Sequence, residues 1–479
     1  MGSVIDNEKT KIKCQIFTPD DIVKGMLDYL GYRHNLYGKK IFESSCGNGQ
    51  FLKEIVQRYI DDGNRRGLTR TKIKNGLGRD VFAIELDPAR YQECIAALNS
   101  ITDRYGLKRV TWQIKQADAL RETFDDKFDY VVGNPPYISY WDLELSEREY
   151  VEKKFTACQY GTWDYAYAFL QDGFNHLNSR GKMAFIIPNS VYKTKSGRNI
   201  RNILSPFLTQ VYDYTTTNVF ENVLTSPTII VVDRSTQSPE IVYTDLSRGK
   251  TVQMQRNLLG DEWLFTAEPQ PAGHRRFGDY FKVATGVATQ YNKAFVLSGY
   301  TDVGTYIEKD KIRIEKGIVR NAASPKGKAY NSAEFIIFPY YYQQDKLMHY
   351  SESSFKEKYP LAFAHLKTEQ QQLEERDSDP SAKWFEYGRS QALAHINQEK
   401  LLVSTVITGK VRVYELGKED VPYSGLFITL RPVKNPLSLT IAKDVLMSDD
   451  FLKYIEPRGI SARGKSIRIT AKMIEEYRW

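Results

Sequence analysis

The sequence predicts an α/β fold: a seven-stranded, mostly parallel sheet with an antiparallel strand at one edge, followed by a C-terminal mixed α+β domain. Three observations carry that expectation. From Phe17 to about Arg234, short β-branched or apolar runs alternate with amphipathic helical patterns, as parallel strands joined by crossover helices require. The last two strand candidates lie too close together for a crossover helix, so they should pair antiparallel. At Ser235-Thr236-Gln237-Ser238-Pro239 the chain turns polar and loop-like, and the alternation stops. The expected division is therefore a first domain over 1–240 and a second over 241–479.

The strand candidates are Lys40 to Ser44, Val81 to Glu85, Val110 to Gln116, Tyr130 to Gly133, Lys182 to Pro188, Val211 to Thr215 and Thr228 to Asp233. Between the first helix and the second strand, the polar, basic stretch Arg58 to Arg79 reads as an insertion, more readily a solvated loop than a nucleic-acid contact. Beyond the boundary, short strands such as Phe335 to Phe338 and Lys400 to Val406 accompany one helix. It starts near Tyr359-Pro360 and runs through Leu361, Leu366 and Leu373 to Asp377.

At 479 residues the chain exceeds the usual size of one core. A hydrophobic share of 41% and a charged share of 26% suit a soluble globular protein, and no apolar run approaches membrane-spanning length. The polar start, Met1 to Lys13, does not read as a secretory signal, so the cytoplasm is the expected location. Cys14, Cys46, Cys94 and Cys158 show neither CxxC spacing nor nearby histidines, which argues against disulfides and zinc alike. No metal site is expected. A net charge of +8 is compatible with a polyanionic partner without requiring one.

Lys40-Ile41-Phe42-Glu43-Ser44 runs directly into Ser45-Cys46-Gly47-Asn48-Gly49-Gln50 and then a helix. Gly47 and Gly49 can take positive φ and let the backbone approach a ligand at the carboxyl end of a strand. Leu52 fills the place of the third glycine of a dinucleotide fingerprint, so nothing there is built for a pyrophosphate. Glu43, Glu85 and Asp118 stand at the ends of three successive strands. Acceptors in that series suit the ammonium, ribose diol and adenine amine of S-adenosylmethionine. Acids there can also merely cap the next helix, Asp118 above all. Upstream, Thr18 is a natural helix cap, with Pro19 in the first turn and Asp21 placed to complete a capping box.

Asp129-Tyr130-Val131-Val132-Gly133 delivers Asn134-Pro135-Pro136-Tyr137 at a fourth strand end. Two prolines restrict the local backbone, so the Asn134 side chain and the Pro135 carbonyl can converge on one point. A heterocyclic amine is a poor nucleophile because its lone pair is delocalised. Two acceptors on its hydrogens favour a tetrahedral nitrogen, and those bonds strengthen in the transition state. Tyr137 offers a face on which an extruded base can stack.

With these motifs in this order, the chain resembles the N6-adenine DNA methyltransferases of restriction-modification systems, in the TaqI-like subgroup whose target-recognition domain is C-terminal. Phe17-Thr18-Pro19 matches the family's N-terminal cofactor motif. Glu43 to Phe51 matches its glycine motif, with Ser44-Ser45 and Asn48 in place of the commoner Pro-Ala and Ser. Trp163-Asp164-Tyr165-Ala166-Tyr167 and Phe185-Ile186-Ile187-Pro188-Asn189 are similar to the following helix and strand motifs. The resemblance implies S-adenosylmethionine contacts from Phe17, Thr18, Pro19, Glu43, Ser44, Ser45, Cys46, Gly47 and Gly49, then from Glu85, Leu86, Asp118, Ala119, Asn134 and Pro136. Catalysis would fall to Asn134, Pro135, Pro136 and Tyr137, with Phe220, in Asn218-Val219-Phe220-Glu221, as a second aromatic against the flipped base.

The implied partner is double-stranded DNA bound by a monomer, with a separate cognate restriction endonuclease. Trp384 to Ser390 and Gly286 to Thr289 are similar to segments of the recognition domain. Arg458, Arg463, Lys465 and Arg468 form the densest basic cluster, placed to meet phosphate if it meets DNA at all. Other readings are a methyltransferase of protein glutamine or ribosomal RNA, a methyltransferase–endonuclease fusion, and a DNA-binding specificity component without catalysis. No nuclease core is visible, acid and lysine pairs such as Asp310-Lys311 being isolated, and no extra N-terminal domain is expected.

Overall fold

The computed structural model describes residues 18–124, 127–214, 227–246, 248–265, 273–461 and 466–479; Phe17, Phe220, Arg463 and Lys465 lie outside them. The chain divides into two compact units, Met1–Glu268 and Pro269–Trp479.

The first unit is built on one mixed sheet whose strands are β1 (Ile41–Glu43), β2 (Val81–Glu85), β3 (Gln113–Gln116), β4 (Phe128–Gly133), β5 (Leu177–Pro188), β6 (Leu208–Asp213), β7 (Pro227–Asp233), β8 (Glu240–Asp245) and β9 (Lys250–Gln255). Their order is β3-β2-β1-β4-β5-β7-β6-β8-β9. Pairing is parallel from β3 through β5, while β7 lies antiparallel between β5 and β6. Successive side chains point to opposite faces, so Phe42, Ile84, Val131 and Phe185 enter one core while Ile41, Ala83, Val132 and Ala184 enter the other. Apolar layers on both faces explain the near-continuous hydrophobic runs of these strands.

Among the described residues the sheet has nine strands, where the sequence predicts seven, and the β6–β7 hairpin is not at an edge: β8 pairs parallel with β6, and β9 pairs antiparallel with β8. These strands follow the stretch 235–239, so the first unit continues past residue 240. Their half-exposed pattern, with only Ile241, Val252 and Met254 well buried, hid them in a polar context. The basic stretch 58–79 is not a solvated loop. It completes one helix, α2 (Gln50–Arg65), and forms another, α3 (Arg70–Asp80), capped by Thr69 and anchored by buried Ile73 and Leu77.

The carboxyl ends of β1, β2, β3 and β4 share one edge, as the registers Glu43↔Ala83, Glu85↔Gln116 and Phe42↔Val131 require. Helices start from that edge: α1 (Asp20–Leu30) precedes β1, α2 follows it, and α4 (Pro88–Arg104) follows β2 under an Asp87 cap. Further on lie α5 (Leu145–Lys154) and α6 (Ala166–His176).

The second unit holds several small sheets. The largest core packs against helices 352–358, 360–367 and 370–375, where the single helix expected from Pro360 breaks at Thr368 and Glu369. A four-stranded antiparallel sheet runs in the order 281–285, 426–430, 400–403, 413–416. The two segments resembling recognition-domain motifs meet, Ala288 bridging Arg389. Arg458 does not face solvent: it is buried, stacks 4.1 Å from the Tyr454 ring and donates to the Tyr454 carbonyl at 3.0 Å. Cation–π contact holds it there. Arg468 is exposed.

Candidate functional site

A cleft opens at the shared carboxyl edge of these strands. It is lined by Ser44, Ser45, Glu85, Leu86, Ala117, Asp118, Ala119, Pro136, Tyr165 and Phe169. Four strand ends thus contribute, each with residues singled out in the sequence. Ala117, Tyr165 and Phe169 were given no site role there. Their signal was present: Tyr165 and Phe169 are one helical turn apart where a helix begins beside the tetrapeptide.

The glycine loop is held by Glu85. That buried carboxylate accepts from the Gly47 N–H at 2.7 Å through Oε2 and from the Asp87 N–H at 2.8 Å through Oε1. Gly47 (φ 54°) and Gly49 (φ 84°) are both left-handed. A Cβ on Gly49 would meet Cys94 Sγ at 2.8 Å, whereas Gly47 faces open space. Cys46 is buried in the core behind the loop, so only its backbone can face a ligand.

Glu43 lies beneath the cleft rather than in its wall. Among the described residues its Oε2 and the Ser44 Oγ are buried without a hydrogen-bond partner. Burial, with the Cys94 thiol and the Glu85 carboxylate adding to it, pushes the Glu43 carboxyl well above the usual carboxylate range. Asp118 does turn onto the chain beyond it, its Oδ1 accepting from the Leu120 N–H at 3.0 Å, yet it also lines the cleft. Buried acceptors beside an open glycine position fit a ligand rich in N–H and O–H donors.

Asn134 is gripped twice. Its Nδ2 donates to Thr18 Oγ1 at 3.1 Å, and its carbonyl accepts from Ser45 Oγ at 3.2 Å. Thr18 therefore does not cap α1. Pro19 occupies the cap position with no side-chain bond, and the Thr18 hydroxyl is turned to the tetrapeptide. With Nδ2 directed at Thr18, Oδ1 lies on the other side of the amide, where it is buried.

Tyr137 is fixed through its hydroxyl, which donates to the Ile186 carbonyl on β5 at 3.1 Å. Burial raises its phenol well above the ordinary range, with the Asp164 charge a lesser cause. Burial also pushes Asp164 up to about 6, against one bond from the Ala166 N–H. The stretch after Tyr137 is tied to the segment before α6: Ser139 bridges Asp164, and the Tyr165 N–H donates to the Ile138 carbonyl at 3.0 Å. Phe17 and Phe220 cannot be placed against this site, since both lie outside the described residues. Among the described residues no group of three or more His, Cys, Asp or Glu side chains could hold a metal ion, and no helix is long and apolar enough to cross a membrane.

Residues 36–220, which carry the glycine loop, the acids and the tetrapeptide, match the family model of the Eco57I restriction-modification methylases. This segment is similar to the restriction-modification methylases. Similarity extends beyond the matched segment: the chain is 25% identical to the type II methyltransferase M.BstVI of Geobacillus stearothermophilus, over 97% of this chain and 89% of that protein. It is 27% identical to M.PaeR7I of Pseudomonas aeruginosa, over 59% of this chain and 56% of the relative. Among solved structures, the type IIL restriction-modification enzyme MmeI in complex with DNA superposes with a TM-score of 0.64 at 14% identity, covering 95% of this chain and 64% of MmeI. The chain thus spans most of the Geobacillus relative and under two thirds of the other two, and the MmeI likeness shows a shared fold.

Proposed function

We propose that the chain methylates the N6 amine of an adenine flipped out of double-stranded DNA, using S-adenosylmethionine, as the modification activity of a restriction-modification system. The observation that carries this reading is the doubly held Asn134, which follows β4 two residues before the cleft-lining Pro136. Bound there, S-adenosylmethionine supplies an electrophilic methyl group. Glu85 and Asp118 would accept from its ribose and adenine, the glycine loop would meet its amino-acid end with Glu43 beneath, and Pro136, Tyr165 and Phe169 would provide apolar walls.

Asn134 Oδ1 and the Pro135 carbonyl accept the two amine hydrogens of the target, drawing the nitrogen lone pair out of the ring toward the methyl group. No base is needed before attack, because the proton leaves after the nitrogen has become cationic. Two prolines and the Thr18 and Ser45 bonds keep these acceptors aligned without reorganisation. The Tyr137 ring stacks on the extruded base.

Labelled cofactor incubated separately with DNA, RNA and protein tests the substrate. Label in DNA, recovered as N6-methyladenine by sequencing, is expected; label only in protein or RNA would overturn the reading. Tyr137→Ala is expected to lower methyl transfer about 100-fold, from loss of stacking. Tyr137→Phe should cost only about threefold to tenfold, since one hydrogen bond to Ile186 is removed and the ring stays. Steady-state rates on DNA check both, and equal losses would contradict a stacking role. Thr18→Val should lower kcat about tenfold by releasing the Asn134 amide; an unchanged kcat would remove Thr18 from this role.

A further inference from the structure

We propose that Glu147, on α5 and outside every cofactor motif, is a positioning residue that holds Arg121 in a short contact and so limits its pairing with Asp118 in the cofactor cleft. This rests on the cofactor reading above. Glu147 is about 1% exposed, yet it lies on a helix whose neighbouring side chains are largely charged. Both its oxygens are committed toward the cleft wall. Oε1 accepts from the Tyr165 hydroxyl at 2.7 Å, and Oε2 accepts from Arg121 Nη2 at 2.7 Å.

Arg121 stands between two carboxylates. Its Nε forms a long ion pair with Asp118 Oδ2 at 3.4 Å, while its contact with Glu147 is short at 2.7 Å. The guanidinium also lies over the Tyr150 ring, 3.9 Å from its centroid, which holds it on the α5 side. Asp118 and Tyr165 both line the cleft, so one buried side chain sets two of its walls. Without the Glu147 charge, the nearest carboxylate for Arg121 is Asp118, only three residues before it. A full Arg121–Asp118 pair would occupy the acceptor that the cofactor's exocyclic amine requires.

The test measures binding of S-adenosylhomocysteine by titration calorimetry, with no turnover involved. Glu147→Gln keeps an acceptor for Tyr165 and removes the charge facing Arg121; it is expected to weaken binding about tenfold, the worth of one charge-assisted hydrogen bond. Adding Arg121→Met to that variant removes the competitor, and affinity should return to within about threefold of wild type. A merely structural role for Glu147 predicts the opposite, a double variant at least as weak as the single one. Wild-type affinity in Glu147→Gln, or no recovery in the double variant, would overturn the proposal. If wild-type protein failed to bind S-adenosylhomocysteine at all, the cofactor reading itself would fall.

Discussion

Asn134→Ala is expected to abolish nearly all methyl transfer, lowering the single-turnover rate by roughly two to three orders of magnitude, the usual cost of removing a preorganised acceptor at a reacting centre. Binding of S-adenosylhomocysteine and of DNA should survive. The distinction follows from where the two ends of the side chain go. Nδ2 is spent on Thr18, a structural bond, whereas Oδ1 on the other side of the amide is the group whose interaction grows as the target nitrogen becomes tetrahedral. Asn134→Asp sharpens the test: the carboxylate keeps an acceptor but loses the N–H donated to Thr18, so its orientation is no longer set and its rate should also fall. Labelled-cofactor single turnover together with calorimetry checks both variants. If cofactor affinity collapsed in parallel with rate, the tetrapeptide would be shaping the pocket instead of stabilising the transition state.

Much of this site could be read before the structure because it is local. Strand, glycine loop and helix are contiguous in Glu43 to Phe51, and Asn134 to Tyr137 carries its own backbone restraint, so their presence at strand ends needed no long-range knowledge. Elsewhere the chemistry depended on distant partners. Thr18 looked like a cap because sequence shows only the helix after it, and the acceptor role toward Asn134 spans more than a hundred residues. Glu147 was invisible for the same reason: in Leu145-Ser146-Glu147-Arg148 it is one charge among several, and its burial arises only when α5 packs against Arg121 and Tyr165. The strands β8 and β9 were missed because a sheet extension with one solvated face lacks the apolar runs of the central strands. The stretch 58–79 was misread because charge outweighed the spacing of Ile73 and Leu77.

The second large effect is expected at Glu85. Glu85→Ala should reduce S-adenosylhomocysteine affinity at least about 100-fold, because two backbone donors, from Gly47 and Asp87, would lose their acceptor at about 1–3 kcal/mol each. The glycine loop would relax before any ligand arrived, so part of the loss is organisational and part is the proposed contact with the ribose. Glu85→Gln separates chemistry from shape. Its amide matches the carboxylate in size but carries one acceptor and one donor group, so whichever way it turns, an –NH2 meets an N–H of the protein. It should therefore behave almost as badly as alanine, unlike Glu147→Gln, where the remaining acceptor still serves Tyr165. Calorimetry gives the affinity, and thermal unfolding gives the organisational part, a fall of several degrees in Tm being expected for a loss of this size in a unit of this length. Near-normal affinity in Glu85→Gln would mean that the loop is held by its two left-handed glycines alone, and that Glu85 serves neither loop nor ligand.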